Sequence, residues 1–318
     1  MSREPFDHQR TIERFAGRVV NLHRDNARKY RQQVWGLRDR LDAHLADHPD
    51  FELKKMLLSG SLAKHTALRT INDADVALYA VSSPHTVGDL LPWIADRLPT
   101  VYPNIKSDQV QLQTYSVRLD FRGTGLSVDI VPVYAEDTTS DWGQLVSQDD
   151  GQRLRTNIAL HKAFIQTRRK RTTHYTQIVR LLKWWVRHRK TQDSVFRLKS
   201  FMVELILATL CDRGVSFADY PEALISFFDY IAATGLSETI SFTDFADAGL
   251  ARSSSDPIRI FDPVNGENNV ARTYTETDRT TIVDACIDAG DAIDAALRAP
   301  TKGETLAYWR SVFGPSFG

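Results

Sequence analysis

Asp73 and Asp75, one residue apart in the segment DADVALYA, and Asp129 in LSVDIVPVY are the side chains best suited to chemistry in this 318-residue sequence. Side chains alternate across an extended strand, so Asp73 and Asp75 fall on one face while Ala74, Val76, Leu78 and Ala80 fall on the other. Two carboxylates so close repel unless a cation stands between them. Hard divalent cations, chiefly Mg2+, take that place together with substrate phosphates. Asp129 lies between Val128 and Ile130, and a charge inside an apolar strand is seldom tolerated without a partner. Three carboxylates from neighbouring strands meet the needs of two-metal phosphoryl or nucleotidyl transfer, in which paired ions clamp the attacking and leaving oxygens. On this reading all three are catalytic and metal-binding. Asp73 and Asp75 hold two Mg2+ ions, for which Mn2+ can substitute, and Asp129 holds the one that acidifies an attacking hydroxyl and can take its proton.

Upstream, LLSGS ends a strand at a Gly-Ser turn, and a helix starting at Ser61 presents backbone N–H groups and a hydroxyl to an anion. Gly60 and Ser61 are therefore expected to cradle a triphosphate. Taken singly these signals are weak, because Asp-x-Asp at a strand start is more often a solvated edge and a Gly-Ser dipeptide alone says almost nothing. Their order and spacing carry the weight.

The elements that must position these groups divide the chain by character. Helical spacing of Phe15, Val19, Leu22, Val34, Leu37, Leu41 and Leu45 predicts one long amphipathic helix over about 6–47. Strands are expected at 53–58, 73–80, 109–113, 115–121 and 126–133 with a helix at 85–98, then helices at 153–170, 174–190, 198–213, 217–233, 273–297 and 302–313, interrupted by a short strand at 258–261. Forty basic and forty acidic residues cancel, yet residues 151–200 hold fourteen Lys and Arg against one acid, Asp193, leaving the rest of the chain at minus thirteen. A basic block in a neutral chain fits a phosphate site better than a nucleic-acid coat, although the run Arg168–Arg171 alone reads as a solvated helix face. Cys211 and Cys286 lack CxxC or Cys/His spacing and read as buried thiols. No signal-peptide pattern and no run of about 18 apolar residues occurs, so a soluble cytoplasmic protein without membrane attachment is expected.

The succession of a strand ending in GS, a helix, a DxD strand and a third acidic strand resembles the nucleotidyltransferases of DNA polymerase β type, with Ala74 where Ile, Val or Leu is usual. The wording GSxAKxT (Gly60, Ser61, Ala63, Lys64, Thr66), the helix QIVRLLKWWVRHR, the following LKSFMVELILATL and the late FDPVNGENNVA together resemble the cGAS/DncV-like nucleotidyltransferases, or CD-NTases, over roughly residues 50–275. The resemblance implies an α+β fold: a mixed sheet with helices at 51–150 as the catalytic core, a spine helix at 1–50 packing on both lobes, and a helical lobe at 151–318. Lys183 in LLKWW and Ser200 in LKSF match family positions that reach the donor triphosphate. Read without the resemblance, Lys183 is as readily a solvated helix lysine, and Ser200 a helix cap. Lys64 touches phosphate or lies in solvent. Trp184 and Trp185 read as lobe core, and Asp262 and Asn265 as turn-forming.

The activity implied is condensation of nucleoside triphosphates (ATP, GTP, UTP or CTP) into a cyclic di- or oligonucleotide messenger with release of pyrophosphate, as in bacterial CBASS anti-phage signalling. A separate effector then responds to the product. No stable nucleic-acid partner is expected, since the zinc cluster of animal cGAS is absent. A regulatory partner, or one that conjugates Gly318 on a short flexible tail, is compatible with the family. The alternatives are a transferase acting on tRNA or a small acceptor, which zero net charge disfavours for tRNA, and a catalytically silent nucleotide-binding scaffold, which the cost of three unpartnered carboxylates disfavours.

Overall fold

The structure is a computed structural model that describes residues 6–46, 51–70, 73–82, 86–245 and 254–318. The ends of the expected spine segment, residues 1–5 and 47–50, and the two residues preceding Asp73 lie outside the described residues. The chain forms two compact units, one of Met1–Asn21 with Phe164–Gly318 and one of Leu22–Ala163.

The expected long N-terminal helix is two helices. Helix α1 (His8–Phe15) runs into a π-helical turn (Ala16–Val20), and α2 (Arg24–Leu45) begins only after an extended Asn21 and His23. The β-branched Val19–Val20 pair has little helical preference, and Asn21 gives up the helix to bond Gln177 at 2.9 Å. The break falls where the two units divide.

In unit Leu22–Ala163, strands β1 (Leu53–Ser59), β2 (Asp73–Ala80), β3 (Val110–Leu112), β4 (Val117–Phe121) and β5 (Leu126–Ala135) form a mixed sheet in the order β1-β2-β5-β4-β3. Strands β2 and β5 are parallel, and their neighbours run antiparallel. Two further strands, β6 (Gly143–Val146) and β7 (Arg153–Thr156), extend from β5. Residues 153–156 were expected to open a helix, but the strand persists until Asn157, whose side chain accepts the Leu160 N–H (3.1 Å) and starts α5 (Ile158–Arg171).

Alternation gives this sheet two unlike faces. Ala74, Val76, Leu78 and Ala80 on β2 join Val117, Leu119, Val128 and Ile130 in a core covered by α2 and α4 (Leu90–Val101). The opposite face is apolar only at one end, where Ala77, Tyr79, Val133 and Ala135 pack with Leu57, Leu145 and Ile158. Its other end carries the aspartates. A short helix, α3 (Gly60–Lys64), joins β1 toward β2.

The other unit is helical. Helices α6 (Tyr175–Gln192), α7 (Ser200–Asp212), α8 (Tyr220–Thr234), α9 (Glu276–Arg298) and α10 (Lys302–Phe313) match the expected segments. Their starts are set by caps, Asp219 for α8 and a Thr275–Asp278 capping box for α9. The expected strand at 258–261 contributes only isolated bridges, Ile240 to Ile260 and Phe261 to Asn269. Asp262 shapes the following turn by accepting the Val264 N–H at 2.9 Å. Cys211 and Cys286 are buried free thiols, and burial pushes Cys286 up. Trp185 is core, while Trp184 is partly buried and donates to the Phe313 carbonyl (2.9 Å).

Two readings of exposed segments are corrected. Arg168 is buried between Asp244 (2.6 Å) and Asp212, with its guanidinium 3.7 Å from the Phe164 ring centroid; Arg169, Lys170 and Arg171 form the exposed face. The C-terminal tail is not loose, because Phe317 is fully buried against Phe15, Trp309 and Phe313 and its carbonyl accepts from Arg310 Nε at 3.0 Å. Aromatic burial outweighs the entropy of a three-residue return. Among the described residues no helix is long and apolar enough to cross a membrane.

Candidate active site

Strand register aligns the polar end of the sheet into two rows. Asp75 on β2 is level with Ser59 on β1, Asp129 on β5 and, one strand further, Arg118 on β4. Asp73 is level with Ser127, which is level with Asp120. Neighbouring strands lie about 4.8 Å apart, so Asp75 and Asp129 are adjacent with no intervening side chain.

Gly60 closes the site against Asp75. Its φ of +59° is a conformation that glycine tolerates, and a Cβ placed there would stand 1.6 Å from Asp75 Oδ2. The Gly-Ser turn therefore lies directly on the second carboxylate. No side-chain cap closes the start of α3, whose first N–H groups have no intrahelical acceptor. Ser61 and Lys64 are half-buried on this short helix, which ends at His65 in a left-handed conformation. Gly60→Ala is expected to cost about 1–3 kcal/mol from backbone strain and to remove most turnover by displacing Asp75. Thermal melting and pyrophosphate release check the two effects separately.

Two of the carboxylate oxygens lack partners. Oδ1 of Asp73 and Oδ1 of Asp129 are buried without a hydrogen-bond partner, a costly state for an acceptor that nothing fills. Burial pushes Asp129 up to about 6; Arg118 opposes this, and the negative charges of Asp75, Asp73 and Asp120 add to it. Among the described residues no group of three or more His, Cys, Asp or Glu side chains is close enough as placed to hold a metal ion. The donor set nonetheless fits a divalent cation: hard oxygens, two of them orphaned, with negative charge that Arg118 offsets only in part.

That charge has a measurable consequence in metal-free protein. The folded state holds the Asp129 proton to about pH 6 and the unfolded chain releases it near 3.8, so stability falls as pH rises through that window. Asp129→Asn removes the penalty. In EDTA at pH 7.5 the variant is expected to be about 1–3 kcal/mol more stable than wild type, with the difference vanishing below pH 4. Denaturant titration at both pH values checks this, and an unchanged difference would sink it.

Lys183 and Ser200 belong to the helical unit. Lys183 is not a solvated helix lysine: it is buried, its ammonium 2.5 Å from the equally buried Glu204 on α7. Glu204 is anchored in turn, its backbone carbonyl accepting the Tyr175 hydroxyl at 2.9 Å. Ser200 is exposed and is the first residue of α7, so it is not the cap; Lys199 occupies that position, with no side-chain bond to the helix.

Three residues beside the aspartates escaped the sequence reading. Arg118 Nη1 stands 3.7 Å from Asp129 Oδ2, its Nε donates to Asp120 Oδ1 at 3.2 Å, and Ser127 Oγ donates to the same Asp120 oxygen at 2.5 Å. The signal for two of them was present in YSVRLDF, where Arg118 and Asp120 alternate with Val117 and Leu119 just as the aspartates alternate on β2.

A Gly-Ser turn seated on an Asp-x-Asp strand, with a third aspartate level with it on a parallel neighbour, defines a nucleotidyltransferase of polymerase-β type. No protein-family model matches the chain. It is 52% identical, over 100% of its length and 99% of the relative, to a cyclic AMP-AMP-AMP synthase of Escherichia coli (strain MS 115-1). It is 30% identical, over 96% of each chain, to the CBASS oligonucleotide cyclase CdnC of Escherichia coli (strain KTE188). Solved structures of E. coli MS115-1 CdnC, with ATP and in a HORMA-deltaN complex, superpose with TM-scores of 0.89 and 0.88 at 51% and 50% identity, covering 98% of both chains. The chain belongs to the cGAS/DncV-like nucleotidyltransferases. Within them it is a CBASS oligonucleotide cyclase, an enzyme forming cyclic oligonucleotide messengers in anti-phage defence, in a family that uses divalent metals.

Proposed function

We propose that the chain condenses ATP into cyclic AMP-AMP-AMP, releasing one pyrophosphate for each bond formed. The observation that carries this is the Asp75–Asp129 row with Gly60 against it, in a chain 52% identical to a synthase of that product. In each step a ribose hydroxyl oxygen bonds to the α-phosphorus of another nucleotide, the bond from that phosphorus to the bridging oxygen breaks, and pyrophosphate leaves. Asp73, Asp75 and Asp129 would hold two Mg2+ ions, which supply charge neutralisation at the phosphates and acidify the hydroxyl.

The chain's own groups do the rest. The Gly60–Ser61 turn, with Lys64, binds the donor triphosphate through N–H groups, hydroxyl and ammonium. Asp129, level with Asp75 on the neighbouring strand, is the carboxylate that takes the proton from the attacking hydroxyl. By the family resemblance Ser200 and Lys183 are further donor-phosphate residues; for Lys183 this requires exchange of Glu204 for phosphate. Ring closure repeats the chemistry on the linear intermediate.

E. coli MS115-1 CdnC has been solved with HORMA-deltaN, and by similarity a HORMA protein regulates this chain, while a separate effector in the same cytoplasm responds to the product. The test supplies ATP, GTP, UTP and CTP singly and mixed, with Mg2+ or Mn2+ and with or without a HORMA partner, and reads phosphatase-resistant products by mass. Cyclic tri-AMP from ATP alone is expected. Absence of product from ATP under every condition sinks the proposal, and nucleotide appended to added tRNA would favour terminal transfer instead.

A further inference from the structure

We propose that Arg118, anchored by Asp120 and Ser127, is a positioning residue that fixes which oxygen of Asp129 faces the other two aspartates; this rests on the nucleotidyl-transfer reading above. The polar end of the sheet continues past the three carboxylates onto β4, where it places a cation and a fourth acid. Asp120 is committed elsewhere. Its Oδ1 accepts both the Ser127 hydroxyl (2.5 Å) and Arg118 Nε (3.2 Å), and it stands two strands from β2, about 10 Å from the Asp73 position. At that range it cannot share an ion with Asp73.

Arg118 thereby has two engagements, one on each side of its guanidinium carbon. Nε is bonded to Asp120, and Nη1 faces Asp129 Oδ2 at 3.7 Å, near enough for charge attraction and too long for a hydrogen bond. The planar guanidinium, anchored at Nε by Asp120, keeps its charge on the Oδ2 side of Asp129, whereas a lysine ammonium has no second nitrogen to be anchored by. Asp129 is thus asymmetric: Oδ2 is turned toward a cation of the fold, and Oδ1 is buried and unbonded. With Oδ2 restrained, Oδ1 is the oxygen left for an incoming ion. Arg118 also sets an upper limit on how tightly that ion binds, because it adds positive charge beside the site.

Opposite effects on binding and turnover follow. Arg118→Gln removes a positive charge, so Mn2+ without nucleotide should bind roughly 3–10-fold more tightly. The freed carboxylate loses its orientation, and kcat should fall roughly 10–100-fold with KM for ATP nearly unchanged. Asp120→Asn should lower kcat by a smaller factor, and by nothing further in an Arg118→Gln background, since Asp120 acts through Arg118. Arg118→Lys should not restore turnover. Arg118 is only about a third exposed at its side chain (31%), so melting curves accompany each variant to show that the fold persists.

The experiment measures Mn2+ binding by electron paramagnetic resonance and product formation from ATP for the four proteins and the double variant. Tighter Mn2+ binding together with slower turnover and a non-additive double variant sustains the proposal. Unchanged or weaker Mn2+ binding, unchanged turnover, or additive losses would overturn it. If wild type makes no product from any nucleotide, the functional reading fails, and unchanged or weaker Mn2+ binding by Arg118→Gln would still overturn the role of Arg118.

Discussion

Asp75→Ala is expected to leave a folded protein whose cyclic-product formation is at least roughly a thousandfold below wild type, with Asp73→Ala close behind. The reason lies in the rows of the sheet. Asp75 is the carboxylate level with Asp129 and in contact with Gly60, so on the proposed reading its loss removes a metal donor and opens the floor of the triphosphate turn together. The fold should survive because the opposite face of β2, Ala74, Val76 and Leu78, is fully buried and untouched. Removing a carboxylate also relieves repulsion on Asp129, so the melting temperature in EDTA should not fall. Product measured by mass and melting measured without metal separate the two statements. A variant that unfolds, or one that retains a tenth of wild-type turnover, contradicts them.

The second large effect concerns stability. Lys183→Met is expected to cost about 3–5 kcal/mol, because it removes the ammonium from the buried Glu204, whose side chain is 3% exposed. Replacing both, Lys183→Met with Glu204→Met, should recover most of the loss, since two apolar chains of similar volume fill the site without a desolvation cost. The double variant then reports on function. If Lys183 leaves Glu204 for the donor phosphates, the stable double variant binds ATP about tenfold more weakly or worse; if the pair is only a structural strut, its ATP affinity equals that of wild type. Calorimetric titration decides between them.

These expectations show how unevenly the sequence exposes its content. The shared face of the three aspartates was legible because strand alternation is a two-residue rule, and a charge among Val and Ile violates the burial preference that surrounds it. Helices α6 to α10 were legible because their apolar spacing and caps are local. The break at Asn21 was not, since its partner Gln177 is distant in sequence and helical periodicity continues on both sides of it. Strand β7 was missed because it is a mostly exposed four-residue strand whose pairing with β6 is a tertiary fact. Arg168, read from its neighbours as solvated, is buried because Asp212 and Asp244 converge on it from elsewhere in the chain.

The sequence by itself determined the carboxylates, the Gly-Ser turn and the family resemblance, because each depends on residue type and short spacing. Tertiary structure decided which of those groups share a row. Parallel pairing sets Asp75 beside Asp129, a positive φ lays Gly60 against Asp75, and β4 brings Arg118 to the third aspartate. It also decided that Lys183 is buried on Glu204, because the register of two packed helices governs what a lysine meets and its own spacing does not.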